Sequence, residues 1–295
     1  IIWAAHSERY SKIKNDHYLI KEIVDEARTF GWDKVVYYEK PLLKKTRQFY
    51  AGQYGVAFDY TEMPQRHCSI FGIKIDECVL HHDSHAAAGY FTSSFDDAVV
   101  LTVDAIGEWD TMSISVAKGN NIEKKESVKY PHSLGILYSA FTKRVGLKPC
   151  EEEYILMGMA AYGTAKYKND IYNDFVIRKP FSLKRNLHKG IGDWHPEADV
   201  MDLAASVQAV TEECLTDLWE RANWYSGFGN NNLVYAGGVA LNCAANRTLA
   251  NLGLFKNISN KPNPGHARTT LGCIAAYKQK QQQTKNQFLV YNIDE

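Results

Sequence analysis

An α/β architecture in two halves is predicted by three features of the sequence. Residues 98–104, Ala-Val-Val-Leu-Thr-Val-Asp, are a continuous apolar run of the kind found in strands covered on both faces, and the run ends in an acid. Residues 233–246, Leu-Val-Tyr-Ala-Gly-Gly-Val-Ala-Leu-Asn-Cys-Ala-Ala-Asn, read as a strand entering a paired-glycine turn and then a helix. No repeat of roughly 20–50 residues is visible, which argues against a solenoid and leaves buried strands layered with helices. At 295 residues, 45% hydrophobic and 23% charged, the chain can build two cores, each lobe holding about 150 residues. The division is expected at residue 130, giving halves 1–130 and 131–295.

In chain order, residues 1–5 read as a strand that begins abruptly, like the middle of a sheet whose earlier strands are missing. A polar loop follows over 7–14, where Arg9, Lys12 and Lys14 outnumber Glu8; it is either solvated surface or an anion contact. Ile20, Ile23, Val24 and Ala27 have helical spacing up to Gly31, and 34–38 is a short strand. Residues 41–75 are aromatic and polar without a clean period, an insertion packed on the lobe. Val79 and Leu80 look like the buried end of a strand, and 86–91 like the opening of a helix with Asp83 or Ser84 as N-cap. After the run ending at Asp104, alternation over 112–116 and Gly119-Asn120-Asn121 predict a hairpin.

Helical patterns occupy 134–145 and 201–219, the latter on Leu203, Val207, Val210, Cys214, Leu215 and Leu218. Residues 153–163, Glu-Tyr-Ile-Leu-Met-Gly-Met-Ala-Ala-Tyr-Gly, are either a Met-rich core helix or a backbone opened to a ligand by Gly158 and Gly163. Residues 167–197 carry no clear pattern. Pro262-Asn263-Pro264-Gly265 delivers His266 to a last helix through Leu271, Ile274 and Tyr277.

Composition excludes several function classes. Lys+Arg 34 against Asp+Glu 34 leaves a formal net charge of zero, so no basic field exists for a nucleic acid polymer or an anionic membrane. Six scattered cysteines lack CxxC pairs and read as reduced, mostly buried thiols. No apolar run reaches the roughly 18 residues of a membrane span, and no signal core opens the chain, so a cytoplasmic location is expected.

Chemistry concentrates at residues 77–85, Glu-Cys-Val-Leu-His-His-Asp-Ser-His. His81 and His85 stand at i and i+4, so helical geometry from Asp83 would turn both imidazoles to one point and His82 away. Buried capping histidines are the plain alternative, but three within five residues at a strand end favour a metal. Asp104 either closes its turn or presents a carboxylate where open α/β sheets place ligands. The Gly237-Gly238 turn puts backbone N–H groups at a helix start, as phosphate sites do.

Taken together, His-His-Asp-Ser-His-Ala-Ala (81–87), Val-Asp-Ala-Ile-Gly-Glu (103–108), the 153–163 segment, Ala-Ala-Ser-Val-Gln (204–208) and Gly-Gly-Val-Ala-Leu-Asn (237–242) resemble the O-carbamoyltransferases that act on nodulation factors and antibiotics. The resemblance implies an actin-like ATPase fold of two ribonuclease-H-like lobes around a central cleft. It also implies ATP as cofactor and a divalent ion, Fe(II) before Mn or Zn. His81, His85 and Asp104 match its metal ligands, and His266 stands where the family has a ligating Asp. Gly237, Gly238 and Asn242 match the nucleotide turn, with Glu153, Met157 and Gly158 lining the same cleft. Lys14 matches a residue near the carbamoyl donor or acceptor, and Ile155 replaces a common Lys.

The implied reaction forms carbamoyl-adenylate from carbamoyl phosphate and ATP, then carbamoylates a hydroxyl of a sugar, nucleoside or secondary metabolite. The family's C-terminal adenylate-forming domain is not found in the sequence, so a partner domain or a homodimer is a further expectation. Two other readings share the fold: a non-catalytic nucleotide-binding subunit of a split enzyme, and a phosphotransferase.

Overall fold

A five-stranded mixed sheet organises the chain, as seen in a computed structural model that describes residues 3–13, 16, 18–61, 63–227, 231–260 and 266–278, with side chains of the last segment from 269. The elements are α1 (Ser7–Ser11), α2 (Lys21–Arg28), β1 (Val36–Tyr37), α3 (Pro41–Tyr50), α4 (Tyr54–Phe58), α5 (Pro64–Ile70), β2 (Glu77–Cys78) and α6 (His81–Phe91). Then come β3 (Asp97–Val103), β4 (Asp110–Lys118), β5 (Asn121–Lys129), α7 (Leu134–Arg144), α8 (Glu153–Met159), α9 (Lys168–Asp174), β6 (Val176–Ile177) and β7 (Ser182–Leu183). The chain continues through α10 (Val200–Tyr225), β8 (Asn232–Ala236), α11 (Cys243–Leu252), β9 (Asn257–Ser259) and α12 (His266–Lys278).

Strand order in the main sheet is β5-β4-β3-β8-β9. β3, β4 and β5 are antiparallel, whereas β8 and β9 run parallel to β3. That order and those directions define a ribonuclease-H-like sheet, the repeating unit of the expected actin-like ATPase fold. β3 reads Asp-Ala-Val-Val-Leu-Thr-Val and is buried from Ala98 onward because helices cover both faces, which is why its sequence runs apolar without alternation. β5 alternates between exposed and half-buried positions, as an edge strand with one wet face should. The division expected at residue 130 falls inside this sheet, since β3 pairs Val99 with Leu233 and Thr102 with Ala236.

One face carries α7 and α10, where Leu137, Phe141, Val207, Leu215 and Trp219 pack on Val99, Leu101 and Tyr235. The other face carries α6, whose Ala86, Ala87 and Tyr90 meet Ala98, Val100 and Val234. α6 lies close to the sheet because a Cβ on Gly89 would stand 2.6 Å from Val234 Cγ1. α12 lies closer still on its outer side, where a Cβ on Gly272 would stand 1.8 Å from the Ser84 carbonyl oxygen. A side chain at either position would force the layers apart.

Several expectations change. No strand forms over the described part of residues 1–5; Trp3 and Tyr10 instead donate to the Glu26 carboxylate at 2.8 Å each, tying this segment to α2 by side chains. The polar loop from residue 7 contains a short helix, and the 41–75 insertion is three helices. Residues 167–197 hold α9 and the β6–β7 hairpin. All six cysteines are free, but only Cys214 and Cys273 are buried. Among the described residues no helix is long and apolar enough to cross a membrane.

Candidate metal centre

α6 begins at His81, two residues before the expected caps. Its N-cap, Leu80, has extended backbone (φ −61°, ψ 141°) and no side-chain acceptor to offer. The acceptor comes from another element: the buried Glu108 carboxylate takes the His81 N–H at 3.1 Å on each oxygen and the Lys40 N–H at 2.7 Å. A carboxylate there also meets the positive end of the helix. Asp83, freed from capping, pairs with Lys124 at 2.8 Å. The early start brings His81 and His85 to one face, while His82 turns to Ser113 Oγ at 3.2 Å.

Both imidazoles meet Asp104 just beyond the end of β3. Asp104 Oδ2 lies 2.9 Å from His81 Nε2 and 3.2 Å from His85 Nε2, and the two Nε2 atoms are 3.1 Å apart. His81, His85 and Asp104 are 2%, 1% and 4% exposed, so the cluster is screened from water. Burial opposes ionisation of Asp104, but hydrogen bonds from His81 and His85, with their charge, hold its carboxyl well below the usual range. Burial pushes His82 well below the ordinary imidazole value.

The donor set fits a divalent ion. Metal bonds of about 2.0–2.2 Å place neighbouring ligand atoms roughly 3 Å apart, the separation seen among these three. Protons alone satisfy the arrangement poorly, because two imidazole nitrogens and one carboxylate oxygen converge on a single point; one cation satisfies all three.

Asp104 is oriented from the opposite side. Its Oδ1 accepts from Ala105 N at 2.8 Å and Gly238 N at 3.3 Å. Gly237, at φ 94°, passes so near β3 that a Cβ would lie 2.2 Å from the Val103 carbonyl oxygen. A Cβ on Gly135 would lie 2.6 Å from Ala105 Cα, so α7 also abuts this strand end. Ser133 caps α7 by accepting from Ile136 N at 3.0 Å and donates to the Ala105 carbonyl at 2.6 Å. Ser133→Ala is therefore expected to cost about 1–2 kcal/mol for the lost cap and anchor, measured by denaturant unfolding; an unchanged midpoint would contradict the role.

The predicted nucleotide residues gather beside this turn. Asn242 caps α11 through Ala245 N at 3.0 Å, and its amide pairs with that of Gln208 at 3.0 and 3.1 Å. Gln208 also accepts from Tyr138 Oη at 2.8 Å. Glu153 accepts from Ser139 Oγ and Cys150 N, both at 2.6 Å. Met157 Sδ lies 3.6 Å from Cys243 Sγ. Gly158 is exposed, and a Cβ there would meet no protein atom within 4 Å. Lys14 lies outside the described residues, as does the side chain of His266, although α12 starts at that residue.

Glu108 and Ser133 are positioning residues that sequence reasoning missed. Glu108 stood within a motif with no partner named, and only the early start of α6 gives it one.

A family model described as carbamoyltransferase N-terminus matches residues 3–275. The chain is similar to protein sll1178 of Synechocystis, 39% identical over 215 residues, covering 65% of this chain and 35% of the relative. It is also similar to nodulation protein NolNO of Sinorhizobium fredii, 28% identical over 218 residues, covering 68% of this chain and 32% of the relative. The chain thus spans about a third of the length of these curated relatives. Among solved structures, full-length HypF in its phosphate- and nucleotide-bound form aligns with a TM-score of 0.44 at 14% identity, covering 75% of this chain and 46% of that one.

Proposed function

The chain belongs to the carbamoyltransferase N-terminus family, and from that premise we propose that it is the metal- and nucleotide-binding transferase domain of an O-carbamoyltransferase. The observation that carries this reading is the convergence of His81, His85 and Asp104 beside the Gly237-Gly238 turn. The two histidines and Asp104 hold a divalent ion, with Fe(II) first and Mn(II) or Zn(II) as substitutes. When bound, the ion polarises the carbamoyl carbonyl and neutralises phosphate charge.

The protein's own residues bind and orient. The Gly237-Gly238 turn and Asn242 present backbone and amide groups to the nucleotide, while Glu153, Met157 and Gly158 border the same space. Glu108 sets where α6 begins and so where both imidazoles aim. The acceptor hydroxyl oxygen forms a bond to the carbamoyl carbon of carbamoyl-adenylate, the bond from that carbon to the phosphate oxygen breaks, and AMP leaves. The hydroxyl proton passes to solvent. A further domain or a partner supplies carbamoyl-adenylate from carbamoyl phosphate and ATP, and the acceptor is a small-molecule hydroxyl.

Incubating the metal-loaded chain with chemically prepared carbamoyl-adenylate and a panel of alcohols tests the reading. AMP release matched one-to-one by carbamoylated alcohol is the expected result. A parallel incubation with ATP in place of carbamoyl-adenylate separates the alternatives: ATP binding with no transfer in either incubation would assign the chain to a binding subunit, and ADP release with a phosphorylated alcohol would assign it to phosphotransfer.

A further inference from the structure

Arg47 has no place in the chemistry above, yet it is the most deeply buried arginine or lysine among the described residues for which exposure is given, at 4%. It lies on α3, and its guanidinium carbon sits 5.7 Å from the centre of the Tyr130 ring. Its Nε is sealed from solvent without an acceptor, and no carboxylate lies within ion-pair distance among the described residues. The neighbouring Gln48, 8% exposed, also has its Oε1 sealed and unpartnered.

An unpaired buried guanidinium is costly, because the group stays charged and water is replaced by no equivalent anion. The acids nearest to it are committed elsewhere. Glu39 pairs with Lys44 at 2.8 Å, and Glu108 accepts the Lys40 and His81 amides. Both act on Arg47 from a distance, opposing the burial that pushes its guanidinium down. Arg47 also bears on His188, whose ring burial and this charge hold below the ordinary imidazole value. A guanidinium held against an aromatic ring, with its Nε sealed and no protein acceptor for its fork among the described residues, has the makings of an oxyanion receptor.

Its position ties it to the candidate centre. Glu108 accepts the N–H of Lys40, the N-cap of α3 that carries Arg47, and the same carboxylate caps the helix that carries His81 and His85. We infer that Arg47 binds a phosphoryl oxyanion of the substrate, fixing the phosphate end of the donor while the carbamoyl end faces His81, His85 and Asp104. The identity of that donor rests on the transferase reading; the anion site itself does not.

The test is calorimetric titration of inorganic phosphate into metal-free protein at constant ionic strength, with nitrate as the monovalent control. Saturable binding near one phosphate per chain is expected, weakened at least tenfold in Arg47→Lys, which keeps charge but loses the fork, and absent in Arg47→Gln. Near-UV circular dichroism of each variant monitors the fold, and Arg47→Lys serves if Arg47→Gln does not fold. Because the titration uses metal-free protein, failure of the metal reading leaves this result standing. Phosphate binding equal in wild type and both Arg47 variants, or no phosphate binding beyond that of nitrate, would overturn the inference.

Discussion

Replacing both His81 and His85 by alanine should abolish binding of a divalent ion while leaving the chain folded. Wild-type protein loaded with Fe(II), Mn(II) or Zn(II) and passed over a desalting column should retain about one ion per chain; the double variant should retain less than a tenth of that. The reason is geometric, since two of three converging ligand atoms vanish and Asp104 alone offers one oxygen. The remaining carboxylate keeps its bonds to Ala105 N and Gly238 N. Two buried rings are nonetheless lost, so unfolding free energy should fall by about 2–5 kcal/mol. Carbamoyl transfer from prepared carbamoyl-adenylate should fall at least 100-fold. Elemental analysis decides the matter: equal metal content in wild type and variant would sink the assignment of these ligands.

Gly237→Ala should be strongly destabilising, since it combines a positive φ with a backbone clash. At φ 94° an L-residue is strained, and the new Cβ would stand 2.2 Å from the backbone oxygen of Val103, which is paired with Met112 in the β3–β4 ladder. Neither partner can swing away as a flexible side chain would. A loss of about 3–5 kcal/mol is expected, with a fall in thermal midpoint of roughly 10 °C for a chain of this size. Gly158→Ala provides the contrast, since it lies in α8 with open space around it and should gain up to about 1 kcal/mol. If Gly158 borders the nucleotide, the same methyl should weaken ATP binding while stability rises. Parallel thermal scans and ATP titrations of the two variants separate packing from contact.

Much of the fold could be read from the residues. The apolar run at 98–104 is β3 to within a residue, the Gly119 hairpin joins β4 to β5, and Leu203 to Leu218 mark the buried stripe of α10. Those signals survive because burial on two faces, a left-handed glycine at φ 57° and a 3.6-residue period are local properties. The imidazole pair was legible for the same reason, because i and i+4 on one helix meet wherever that helix goes. What escaped was supplied across long sequence distances. The cap of α6 comes from Glu108, 27 residues on, and leaves no mark near residue 80. Residues 41–75 escaped because α3, α4 and α5 are short and largely exposed, with Leu42, Phe49, Tyr50 and Phe58 on the surface, so hydrophobicity there does not report an inward face. The hold of Gly237 and Gly238 on the carboxyl end of β3 likewise requires β8 to lie beside it.

α6 is wedged between two elements, with Gly89 against the Val234 side chain of β8 and Gly272 of α12 against the Ser84 carbonyl. A helix gripped so tightly front and back has almost no freedom to roll. The aim of its imidazoles is therefore settled while the protein folds, before any ion arrives, and little ordering entropy remains to oppose capture. Exchange of the ion would then be governed by how fast the surrounding shell opens rather than by any rearrangement of the ligands themselves.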